Sequence, residues 1–255
     1  KSYEKGDLNG YAFYGSFLIE HNKEEEGLRL IKYSCDHNNV KGIHLYGFYS
    51  FNGLSILEKN EKLAFNYFKL SQSMGNNISF NNVGIFYEKG ICTNVDKKEA
   101  IKYYEKGFEE GFLNCGCQLG CLLINSDDEK ELNFLEGMKY LKIASENGNV
   151  DSMYYYCLNI AQKKSTINEI AEMKYYLNKG IYVKDTDLIV LYANILLQSN
   201  NYPLEQDCVK AAKLYKLSAD LGDCGGMVKF AKMLLVGNGI EANQSESLKY
   251  FKMAA

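Results

Sequence analysis

One small residue recurs along this chain at an interval that a single globular core has no reason to keep. It stands at Gly15, Gly47, Gly84, Gly120, Cys157, Ala193 and Ala231, with successive differences of 32, 37, 36, 37, 36 and 38 residues. Each copy sits in an apolar stripe whose members lie three and four apart, as in Gly226-x-x-x-Phe230-Ala231-x-x-Leu234, which marks one face of a helix. The glycines that follow, Gly237-x-Gly239-Ile240, are helix-ending residues. A second pattern alternates with the first: Ala211-x-x-Leu214-Tyr215-x-x-Ser218-Ala219-x-x-Gly222, and again Ser247-x-x-Tyr250-Phe251-x-x-Ala254-Ala255. The unit is therefore helix, turn, helix, turn. One helix pair cannot bury its own apolar face, so it must stack on further copies.

The repetition predicts an all-α chain, an α/α superhelix (right-handed solenoid) of about seven antiparallel helix-pair repeats. Their expected spans are 10–41, 42–78, 79–114, 115–151, 152–187, 188–225 and 226–255, with 1–9 closing a preceding repeat. The third is the cleanest copy and carries Val83-Gly84, Tyr87, Gly90, Asp96, Ala100, Tyr103-Tyr104, Gly107 and Gly111. The first and fifth depart most, since their connecting loops lack the glycine pair. Lys1–Gly6 resembles the end of a second helix and Ala254-Ala255 stops inside one, so the chain is expected to be a segment of a longer protein.

Composition agrees with a helical stack: a single proline, 21 tyrosines and no tryptophan among 255 residues. Lys+Arg 29 against Asp+Glu 32 leaves no basic stripe, which argues against nucleic-acid binding. No apolar run approaches the roughly 20 residues of a membrane span, and none reads as a signal peptide. Eight irregularly placed cysteines read as small reduced core residues, which favours a cytosolic compartment.

The pattern resembles the Sel-1-like repeat, a relative of the tetratricopeptide repeat. Val83, Gly84, Tyr87, Gly90, Asp96, Ala100, Tyr103, Tyr104 and Gly111 fit its consensus in one unit. Gly237-Asn238-Gly239-Ile240 with Tyr250, Ala254 and Ala255 fits it in another. The resemblance implies a non-enzymatic scaffold or adaptor for other proteins, with neither cofactor nor metal. A regulatory or substrate-positioning region attached to an enzyme such as a kinase is the alternative.

Chemical motifs are weak. Gly237-x-Gly239 lacks the third glycine and the preceding strand of a dinucleotide site. Cys117 and Cys121 share a helical face, but Cys115 points about 200° from Cys117, and no histidine is near in sequence to complete a tetrahedral zinc set. Asn125-x-Asp127-x-Glu129 with Glu136 has a faint calcium-loop spacing, with Lys130 where glycine is needed. Asn77-Ile78-Ser79 and Asn243-Gln244-Ser245 are glycosylation sequons of a kind expected by chance in an Asn-rich chain.

By resemblance to tetratricopeptide repeats, a partner peptide or helix would lie on the concave side lined by first helices. The expected lining residues are His44, Phe48 and Phe51; Asn81, Ile85, Glu88 and Lys89; Tyr154, Leu158 and Gln162; Asn194 and Gln198; and Lys232. Aromatic anchors among scattered amides suit a peptide better than an anion.

Overall fold

A computed structural model describes residues 7–126, 130–163, 165–198 and 204–255, with side chains for all of these but 130 and 131. Lys1–Gly6, Asp127 and Glu129 of the calcium-like spacing, and Pro203 lie outside the described residues. Among the described residues there are fourteen helices and no strand beyond one isolated bridge between Leu54 and Leu57. The chain divides into two compact units, 1–134 and 135–255.

The first unit holds α1 (Leu8–Glu20), α2 (Glu24–Asp36), α3 (Val40–Asn52), α4 (Glu61–Ser73), α5 (Asn77–Lys89), α6 (Lys97–Glu109) and α7 (Leu113–Ile124). The unit boundary falls within α8 (Lys130–Glu146). The second unit holds α9 (Val150–Gln162), α10 (Ile167–Val183), α11 (Thr186–Leu197), α12 (Cys208–Asp220), α13 (Cys224–Val236) and α14 (Gln244–Met253). Within each unit α1 to α7 and α9 to α14 pack chiefly on their neighbours in sequence. First helices also touch each other, α1 with α3, α5 with α7 and α9 with α11, as stacked pairs require.

The helices begin before the repeat boundaries drawn from the apolar pattern. Asp7, Asn39, Asn149, Asp185 and Asp223 cap first helices, each accepting a hydrogen bond from a backbone N–H two or three residues on. Such a cap contributes about 1 kcal/mol. Leu8 and Asn9, expected to close a preceding repeat, therefore already belong to α1. The six turns that pass from one repeat to the next all place one residue in the left-handed region: Asn38, Gly75, Gly111, Gly148, Lys184 and Gly222. Their spacing of 37, 36, 37, 36 and 38 repeats the interval of the small residues.

Two close approaches explain why small residues recur. Inside a repeat, the small residue of the first helix admits a large side chain of the second: Phe68 against Gly47 and Tyr104 against Gly84. Between repeats, Ser34, Gly107, Gly180 and Ser218 of second helices abut Gly42, Cys115, Leu188 and Gly226, eight residues on in the next first helix. One member of each pair is glycine, so the backbones can close up. One part of the resulting core joins α4 to α5. Ala64, Phe68, Val83 and Phe86 are fully buried, with Phe51, Phe65 and Tyr87 packed on them.

Candidate partner-binding grooves

In the first unit, one stripe on each of α1, α3 and α5 carries exposed or half-buried side chains rather than core. It runs Asn9, Phe13 and Phe17 on α1; Lys41, Leu45 and Phe48 on α3; and Ile78, Asn82, Ile85 and Lys89 on α5. Phe13 is 55% exposed, Phe17 51%, Phe48 44% and Ile78 45%. Large apolar groups collected on one surface mark binding faces in soluble proteins. Between the N-terminal halves of α1, α3 and α5 this surface deepens into a groove of about 700 Å³. Phe13, Ser16, Lys41, Leu45 and Ile78 line it, with amide side chains around the rim. The Lys41 ammonium lies 4.1 Å from the Phe13 ring centroid, a cation–π contact between α1 and α3. Ser16 Oγ is buried without a hydrogen-bond partner, as is Asn81 Oδ1 on α5.

The residues expected to line the groove separate into three groups. Phe48 and Lys89 are exposed, and Ile85 is half-buried. His44 lines the groove while being largely buried, and Phe51 packs toward the next repeat. His44 is 8% exposed, its Nδ1 is 3.0 Å from Ser79 Oγ, and its ring lies 5.6 Å from that of Phe68. Burial holds the His44 imidazole neutral, with its pKa lowered to about 4. The Phe51 ring sits 5.4 Å from Phe86 in the core cluster. Glu88 accepts a hydrogen bond from the Tyr104 hydroxyl at 2.7 Å and serves to tie α5 to α6.

In the second unit, Tyr154 and Leu158 are half-buried, and Gln162, Gln198 and Lys232 are exposed. Tyr154 and Tyr155, with Asp151, Asp185 and Asp187, frame a small pocket of about 200 Å³. Asn194 is engaged on two sides, accepting from the Tyr215 hydroxyl at 2.7 Å and from Lys229 Nζ at 3.2 Å. Lys232 lines a second pocket with Leu197, Tyr215 and Val236. A polar tie joins α8, α9 and α10, because Glu172 accepts from both Lys142 Nζ (2.7 Å) and the Tyr156 hydroxyl (2.6 Å). Those two donors hold the Glu172 pKa below its ordinary value.

Cys115 and Cys157 are buried thiols whose pKa is pushed up to about 12 by loss of hydration. At neutral pH they are thiols rather than thiolates, which makes them packing groups. Among the described residues no three His, Cys, Asp or Glu side chains gather as a metal site would need, and no helix is long and apolar enough to cross a membrane.

Paired helices with a fixed interval, a small residue at each crossing and open first-helix faces define a helical-repeat protein. The family model of the Sel1 repeat matches residues 40–76, 81–112, 117–149, 191–223 and 226–255, well over half of the chain. The chain belongs to the Sel1 repeat family, whose members generally serve as protein-interaction scaffolds. The stretches outside the matches include the first and fifth repeats, the two that depart most from the pattern.

Among solved structures, a protective antigen of uropathogenic Escherichia coli with an SLR fold is 17% identical, at a TM-score of 0.73 over 98% of this chain. This chain spans only 54% of that protein's length. A Sel1 repeat protein from Oxalobacter formigenes is 22% identical at a TM-score of 0.68, covering 96% of both chains. An immunity protein from Pseudomonas aeruginosa is 14% identical at 0.56, covering 84% of this chain and 81% of its own. These likenesses establish the fold. No curated protein matches this sequence.

Proposed function

We propose that this chain is a non-enzymatic interaction scaffold that holds a peptide or helical segment of a partner protein against its first helices. The observation that carries this reading is the row of exposed rings at Phe13, Phe17 and Phe48 beside the groove between α1, α3 and α5. Buried aromatic anchors supply most of the energy at protein interfaces, and rings held on rigid helices lose little entropy on binding. The half-buried Tyr154 and Leu158 are the corresponding candidates on α9 of the second unit.

The test is affinity capture with the full chain and with a Phe13→Ala/Phe48→Ala variant. Both rings are about half exposed, so the variant keeps its helical circular dichroism. Loss of the captured partner supports the reading, and undiminished capture overturns it. A matched Tyr154→Ala variant reports whether the second unit contributes.

A further inference from the structure

We infer that the groove between α1, α3 and α5 is selective for a peptide whose large apolar side chain is flanked by a carboxylate. This rests on the scaffold reading above and narrows it to a sequence class. Three features of the groove point the same way. Its floor and walls present Phe13, Leu45 and Ile78, and its volume of about 700 Å³ falls in the range of pockets that enclose organic ligands. An apolar side chain is thus the natural occupant of its interior.

Charge supplies the second feature. Lys41 is the charged residue of the lining, and neither an aspartate nor a glutamate lines the groove with it. Its contact with Phe13 fixes the ammonium at the side of the apolar space, while the ammonium itself stays exposed. A carboxylate arriving next to an apolar anchor would meet a cation already in position, whereas a lysine or arginine there would be repelled.

The third feature is Ser16 Oγ, a buried hydroxyl on the groove lining that no protein group satisfies. An unpaired buried polar atom is costly, and an occupant with backbone N–H and C=O groups can pair with it where a purely hydrocarbon occupant cannot. Several rim amides are already committed. Asn39 and Asn76 cap α3 and α5, and Asn77 Nδ2 donates to the Glu110 carbonyl. The His44 imidazole of the lining is buried and meets Ser79 Oγ through Nδ1, so selectivity falls to Lys41 and Ser16.

The experiment is selection of peptides from a random twelve-residue display library on the full chain. Fluorescence anisotropy then measures the best peptide and its variants in which the acid is replaced by its amide or by lysine. The expected result is enrichment of an acidic residue within two positions of Phe, Leu, Ile or Met, and a roughly tenfold weaker Kd for the amide variant. Lys41→Glu should invert the preference so that the lysine variant binds best; this rescue shows that Lys41→Glu remains folded. Enrichment of apolar peptides without an acid, or an acid effect unchanged in Lys41→Glu, overturns the charge selectivity and leaves the scaffold reading standing. Failure to enrich any peptide, or binding indifferent to Phe13→Ala/Phe48→Ala, overturns both.

Discussion

The Tyr104 ring lies in the space that a β-carbon on Gly84 would occupy. From there its hydroxyl reaches Glu88, one turn further along the same helix as Gly84, at 2.7 Å. The contact locks α6 onto α5 at one height and one rotation. It makes the recurrent small residue a condition for the aromatic residue twenty positions later.

Gly84→Ala should therefore destabilise the protein, against the usual direction for glycine in a helix. Helix propensity favours alanine by about 1 kcal/mol, but overpacking a rigid ring costs about 1–3 kcal/mol. A net loss of about 1 kcal/mol or more in urea unfolding is expected. Gly225→Ala, whose added carbon would meet Asp223 only at ordinary contact distance, serves as the control and should gain up to about 1 kcal/mol.

His44 predicts a pH dependence near neutrality. Its folded pKa of about 4 lies below the ordinary 6.5 because burial penalises the cation. Between those values the unfolded chain binds the proton and the folded one does not, so stability falls as pH drops from about 6.5 toward 4. The slope from this group is at most about 1.4 kcal/mol per pH unit. Urea midpoints across that window should slope in the wild type and flatten in His44→Gln.

Glu169 acts at lower pH. The Thr166 backbone N–H first, and Lys163 next, hold its pKa down to about 2 from 4.5. Its contribution is complete above 4.5 and is lost as pH falls toward 2. Hydrogen-exchange protection at the start of α10, taken relative to the intrinsic rate at each pH, should fall over that range, and Glu169→Gln should be weakly protected at every pH. Thr166→Ala, which removes the capping box, should cost about 1 kcal/mol.

Lys184 occupies the left-handed turn position, φ 59°, that Gly75, Gly111, Gly148 and Gly222 fill in other repeats. An ordinary residue there costs about 1–2 kcal/mol, of which the extra freedom of unfolded glycine offsets part. Lys184→Gly should raise stability by about 0.5–1 kcal/mol. Gly148→Ala should lower it by a similar amount, both read from urea midpoints.

The repeat was legible in the sequence because close packing leaves a strict trace: one small residue per first helix, and a pair of rings or their equivalents per second. The helix starts were less legible. The apolar pattern begins at Gly42 or Gly226, three residues after the capping Asn39 or Asp223, whose role is to accept a backbone hydrogen bond rather than to bury surface.

Of the residues expected on α3, His44 lines the groove and Phe48 is exposed, while Phe51 packs into the core. His44 and Phe51 lie on a stripe that packs on the next repeat, with His44 also reaching the groove, while Lys41, Leu45 and Phe48 form the neighbouring open stripe. Both stripes are apolar, so hydrophobicity alone does not separate them. Phe13, Ser16 and Ile78 went unread for a related reason, since only stacking with α3 gives them a shared surface. A lysine four and seven residues before apolar groups, as at Lys41-x-x-x-Leu45-x-x-Phe48, is the trace that could have located the open side.

Hydrogen exchange of the full chain, with and without its captured partner, tests most directly whether the first helices are the binding face. Added protection is expected in α1, α3 and α5, with α2, α4 and α6 unchanged. Protection confined to the second helices would contradict it.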